Sequence, residues 1–227
     1  MPAEARGDWT RAQRRLHWWT ACLVVIAFPL GWIMVGISLD QLFLKFALYQ
    51  LHKTIGILVF ALVLARLAIR SRRGRPAWDA TLFAWQRRAA ETMHALLYVL
   101  LVVVPLLGYL TAATAPARIP TLFLGVLPIP HIVGADAFWF DILRQTHRAL
   151  AVLLVALAFG HAVAAIVNHL NGHPGLTAMW SGREPRMSSG SAARSPRSAG
   201  QRTPTTPPAA RSRARPRGPR AAPRSRS

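Results

Sequence analysis

The sequence predicts an all-α protein, a four-helix transmembrane bundle followed by a disordered basic C-terminal tail. Three observations carry that prediction. Four apolar stretches are each long enough to cross a bilayer as a helix, which takes about 20 residues. The 227 residues are 52% hydrophobic, yet 28 Lys plus Arg face only 8 Asp plus Glu, and the cations fall mostly between and after the apolar stretches. Beyond Arg183 the composition turns to Arg, Ser, Pro and Ala, with almost nothing to bury.

Taken in order, Met1 to Arg15 is a short lead with Arg6, Arg11, Arg14 and Arg15, and apolar sequence follows from Leu16 to Ile37. That run is too long for the core of a signal peptide and no small-x-small cleavage site follows it, so it reads as a retained first span. A second span is expected from about Ala47 to Ile69, a third from about Met93 to Ala113, and the fourth from Thr146 to His169. The third loop, Ala115 to Leu143, with its PTLFLGVLPIPHIVG segment, Trp139 and Phe140, is expected to lie as an interfacial cap on the outer face. The membrane domain takes residues 1–175 and the tail 183–227.

Orientation follows from the cations. The lead, the loop Arg70 to Arg88 and the chain after His173 are basic, whereas the first loop has Asp40 and Lys45 and the third mainly Arg118, Asp136 and Asp141 before Arg144. By the positive-inside rule both termini and the middle loop face the cytoplasm. A net charge of +20 is also the mark of nucleic-acid binding, but most of the excess sits outside the apolar segments and no nucleic-acid motif accompanies it. Membrane lipid is the partner the charge predicts, with the tail drawn to anionic headgroups. Cys22 is the sole cysteine, which excludes an internal disulfide, a Cys-rich metal site and covalent haem attachment.

Histidines inside the spans are the candidate functional residues, because polar groups in a bilayer are costly. His147 and His161 lie 14 residues apart on the fourth span, which sets them about 21 Å apart in depth and roughly 40° apart in azimuth. Tracking depth places His17 at the inner start of the first span and His52 near the outer start of the second. The four sort into His17 with His161 on the inside and His52 with His147 on the outside. Two neutral imidazoles facing each other across a bundle suit the axial positions of a haem iron. The residue four positions after each is small, Ala21, Gly56, Ala151 or Ala165, whereas His94 is followed there by Tyr98. Pro29 and Pro105 lie mid-span. Arg66, 14 residues after His52, reaches the inner level and is placed to pair with a haem propionate, while Arg70 snorkels at the span end. His94 and His169 are candidates for proton relay or quinone contact.

The stretches RRLHWWTACLVVIAFPLGW, LHKTIGILVFALVLARLAIR, MHALLYVLLVVVPLLGYL and QTHRALAVLLVALAFGHAVAA resemble the four helices of the prokaryotic cytochrome b-561 family of di-haem membrane cytochromes. The similarity covers roughly residues 11 to 172. It implies a bacterial inner-membrane protein with two b haems, iron-ligated at the positions matched by His17, His52, His147 and His161. Some members resemble superoxide oxidases, which pass electrons from superoxide outside to ubiquinone at the inner haem. Others serve as electron-transfer subunits of a partner redox protein. Where the superoxide-oxidase pattern ends its fourth helix with adjacent histidines, this chain has Asn168-His169.

The expected function is therefore electron transfer across the bilayer between an outer donor and a quinone. The alternative is an electron-transfer or anchor subunit for a partner redox protein. A divalent-metal transporter is disfavoured because the span interiors hold no Asp or Glu.

Overall fold

The first helix begins where local chemistry dictates. The Thr10 hydroxyl accepts from the Gln13 N–H at 3.2 Å, and the Gln13 side-chain oxygen accepts from the Thr10 N–H at 3.0 Å, a reciprocal cap for otherwise free donors. The computed structural model describes residues 9–73, 82–173 and 175–181. Helix α1 (Arg11–Gly36) turns through a 3-10 segment, Leu39–Gln41, into α2 (Leu42–Arg73). Helix α3 (Ala84–Thr114) leads to an antiparallel hairpin of β1 (Thr121–Phe123) and β2 (Leu127–Ile129), and α4 (Ala137–Leu170) is followed by α5 (Gly175–Ser181). The basic tail, residues 183–227, and residues 74–81 of the middle loop lie outside the described residues.

The four long helices are apolar enough to cross a membrane, with mean hydropathy between 1.9 and 2.6 in their most apolar stretches. Their large side chains point outward: Val25 is 71% exposed, Phe43 85% and Phe159 71%. A bundle built for water reverses that arrangement, so the outer surface of this one is solvated by lipid. The buried core is small and central, made of Leu30, Ile55, Val59, Val63, Leu100, Leu101, Val104 and Leu154. Packing is sequential: α1 lies along α2, α2 along α3 and α3 along α4. By contrast α1 touches α4 sparsely, and α2 and α4 barely meet.

Two departures from the sequence reading concern the third loop. Helix α4 starts at Ala137 rather than Thr146, because the Asp136 carboxylate caps it by accepting from the Trp139 N–H at 3.1 Å. Trp139 and Phe140 thus belong to a helix and not to a loop. The remaining segment is not shapeless either. Leu124 and Gly125 take φ of 53° and 78°, the left-handed values that reverse a strand, and β1 and β2 pair across them. Its backbone is fastened to α2: Leu122 N–H donates to the Gln50 side-chain oxygen at 2.9 Å, Leu124 N–H to the Thr54 hydroxyl at 3.1 Å, and Gln50 Nε2 donates to the Pro120 carbonyl at 2.8 Å. Buried Gln50 and Thr54 are thereby satisfied. Tyr109 on α3 holds the far side, its hydroxyl donating to the Pro130 carbonyl at 2.7 Å and accepting from Ile132 N–H at 3.1 Å.

Candidate functional site

The sequential packing puts histidines from sparsely touching helices face to face at two levels. At one level His52 of α2 meets His147 of α4, with ring centroids 6.2 Å apart and planes at 90°. At the other, His17 of α1 meets His161 of α4 at 6.4 Å and 77°. Nitrogen bonds of about 2.0 Å to a metal, plus about 1.1 Å from ring nitrogen to ring centre on each side, set two trans imidazoles about 6.2 Å apart. Both pairs fit an interposed iron. His94 of α3 sits 5.1 Å from His161, about 1 Å closer than that geometry sets.

Two imidazoles do not complete a metal site. Among the described residues no group of three or more His, Cys, Asp or Glu is placed to hold an ion. A porphyrin, which brings four nitrogen donors of its own, would complete such a site. The sparse contact of α4 with α1 and α2, the helices that share its histidine pairs, fits a flat macrocycle between them. A Cβ added at Gly56, one turn from His52, would meet no atom within 4 Å.

Each level holds its imidazoles differently. His147 Nδ1–H donates to the Val104 carbonyl of α3 at 3.0 Å. That carbonyl is reachable because the residue one turn on is Gly108: a helical side chain covers the turn preceding its own Cα, and a Cβ at Gly108 would lie 3.0 Å from His147 Cε1. The same device recurs on α1. A Cβ at Gly31 would lie 2.9 Å from His52 Cε1, and the backbone it uncovers is that of Ala27, toward which His52 is turned. His52 Nδ1 is buried and falls short of hydrogen-bond geometry there. Gly31 and Gly108 were missed in the sequence, where room was sought on the histidine's own helix. The overlooked signal is the shared pattern of proline, leucine, glycine and an aromatic, Pro29-Leu30-Gly31-Trp32 and Pro105-Leu106-Leu107-Gly108-Tyr109.

At the second level side chains take over. Arg66 of α2 sits at the depth its spacing indicated, with Nη2 3.1 Å from His17 Nδ1 and its guanidinium 5.2 Å from the Tyr98 ring centroid. Arg70 lies over the same ring at 5.5 Å. His169, near the end of α4, contacts the Thr177 hydroxyl at 3.3 Å and does not join the cluster of His17, His94 and His161. Near His147, the Arg144 guanidinium donates to Asp141 at 2.9 Å, Lys45 donates to the Ile37 carbonyl at 2.6 Å, and Arg148 lies 5.2 Å over the Trp32 ring. In the hairpin segment His131 contacts the Thr121 hydroxyl at 3.0 Å; partial burial and then the Lys53 ammonium lower its pKa from the usual value.

Known proteins give the arrangement a context. Residues 8–182 match the family model described as prokaryotic cytochrome b561. Cytochrome b561 homolog 1 of Escherichia coli (strain K12) is 29% identical over 164 residues, which cover 70% of this chain and 89% of that protein. Cytochrome b561 homolog 2 of the same strain is 30% identical over 154 residues, covering 67% and 80%. With four lipid-facing helices inside the matched region, the chain belongs to the prokaryotic cytochrome b561 family.

Proposed function

We propose that this protein carries electrons across a bacterial inner membrane, from a donor on the outer side to ubiquinone on the inner side, by holding two b-type haems at two depths. Family membership brings b-type haem and a membrane setting. One observation carries the rest: His52 faces His147 and His17 faces His161, each at the separation of a bis-imidazole iron, between helices that touch little. When bound, haem supplies the one-electron chemistry; the chain supplies ligands, orientation and a dry path.

His147 acts through its second nitrogen. With Nδ1–H committed to Val104, Nε2 keeps its lone pair and its direction, the arrangement a neutral imidazole ligand requires. Arg66 poses the opposite case. A guanidinium only donates, so its contact makes His17 Nδ1 the acceptor and leaves the proton on Nε2. For His17 to hold an iron through Nε2 its proton would have to sit on Nδ1, which would free Arg66 to pair with a porphyrin carboxylate. Close to the same cluster, His94 is the better-placed group to deliver a proton to a reduced quinone; His169 is tied to Thr177 at the helix end. The cations of the lead and of the chain after His173 support cytoplasmic termini.

Superoxide suits the donor side because cations flank His147. Arg144 is neutralised by Asp141, so Arg148 carries most of the steering. Purified full-length protein should show two haems per chain in its dithionite-reduced spectrum and reduce ubiquinone from superoxide without a partner. The rate should fall as salt rises, and Arg148→Ala should slow it several-fold more than Arg144→Ala. A protein that ignores superoxide but accepts electrons from another redox protein would be an electron-transfer subunit instead. One haem per chain would overturn the two-level reading.

A further inference from the structure

On the face of α1 that turns away from the histidines, a pocket of about 590 Å³ is lined by Arg11, Arg14, Arg15, Trp18, Trp19 and Cys22, with Trp180 of α5 closing it. Residues 11, 15, 18, 19 and 22 recur at helical spacing and share one side of the helix, while His17 and buried Thr20 fall on the other. The pocket therefore opens outward at the end of the span, where headgroups lie, and not into the bundle. Helix α5 is fastened over it: Arg14 Nη1 donates to the Trp180 carbonyl at 3.0 Å, Trp18 Nε1 donates to the Met179 carbonyl at 3.2 Å, and the Trp18 and Trp180 rings meet edge to face at 5.2 Å.

We propose that this pocket binds one anionic phospholipid, its phosphate held by Arg11, Arg14 and Arg15 and its acyl chains running down α1 past Trp19 and Cys22. Three guanidiniums converge, with no carboxylate among the described lining residues. Arg14 is anchored at the Trp180 carbonyl, which holds its guanidinium at the pocket wall. The volume lies within the roughly 300–1,000 Å³ of small-ligand sites. Trp18, Trp19 and Trp180 are the amphipathic rings that sit at the headgroup boundary, and Trp19 is 60% exposed toward lipid. A free phosphate shares the head chemistry, but the exposed apolar stripe below the arginines has no use for one.

The sole cysteine lies in the site and reports on it. Full-length protein with haem bound is placed in phosphatidylcholine bilayers with or without phosphatidylglycerol, at roughly one lipid in five, and Cys22 is alkylated with the uncharged N-ethylmaleimide. The rate should fall by the factor 1 + [L]/Kd, at least about threefold once two-thirds of sites hold lipid. Inorganic phosphate in pure phosphatidylcholine should leave it unchanged. In the double variant Arg11→Gln, Arg15→Gln, which spares the α5 tether of Arg14, the slowing should vanish while the haem spectrum stays. Equal rates in the two bilayers, slowing that survives in the double variant, or equal slowing by inorganic phosphate would each overturn the proposal.

Discussion

The two histidine levels hold the same pair of side chains by different means. At the His52–His147 level the rings rest against bare backbone, with Gly31 and Gly108 removing the side chains that would stand in the way and Val104 offering its carbonyl. The His17–His161 level uses side chains throughout: Arg66 on His17, His94 beside His161, Tyr98 under two guanidiniums. Backbone cannot change rotamer or charge, so the first level is rigid, and at His147 the Val104 carbonyl sets the tautomer in advance. Side chains can, so the second level is the more adaptable one, and in the proposed function it is the one that would serve a quinone. The difference fits a relay whose chemistry becomes more complicated toward one end.

Substitutions can break that contrast. The largest effect is expected from the histidines themselves: His52→Ala and His147→Ala should each remove about one of two haems, with His17→Ala and His161→Ala removing the other, because a bis-histidine site missing a ligand holds its iron poorly. His94→Ala should retain both, measured as haem per protein after purification. Full retention in His52→Ala with loss in His94→Ala would invert the assignment.

Next in size are the glycines. Gly31→Ala and Gly108→Ala put a methyl 2.9 and 3.0 Å from the Cε1 of His52 and His147, and should weaken haem retention at that level alone by about 10–100-fold, the usual effect of disturbing a partner behind a ligand. Gly36→Ala, with nothing within 4 Å, is the control and should do nothing. Titrating haem into the purified apoprotein distinguishes the two levels. Smallest is Arg66→Gln. Loss of a cation beside the His17–His161 level favours the oxidised, more positive iron and should lower that potential by about 60 mV, one tenfold step for a single electron. Arg66→Lys should restore most of it. A shift shared equally by both levels in a redox titration would show that Arg66 acts on the fold and not on one site.

Much of this was legible in the chain. Hydropathy exposed the four spans because lipid allows little else, and a 14-residue interval converts directly to depth, so the facing of His17 with His161 and His52 with His147 could be anticipated. Arg66 followed from the same periodicity. What stayed hidden is what depends on a neighbouring helix. Gly31 serves a histidine on α2, and Gly108 one on α4, so no single-helix pattern contains them. The hairpin escaped notice because its strands have three residues each and owe their order to Gln50 and Thr54, some 70 positions earlier. Thr146 was too late a start for α4 because composition does not register what one cap, Asp136, can add to a helix.

One consequence of the shared helix concerns synthesis. Helix α4 donates an imidazole to both pairs and is the last of the four spans to be translated. Chains emerge from the ribosome at about 5–20 residues per second, so the first three helices wait in the bilayer for several seconds with His17 and His52 lacking their partners. Neither level can close before the fourth helix arrives, and both can close once it has. A chain interrupted ahead of α4 would hold no completed pair at either depth, so a truncated product could not become a half-working cytochrome.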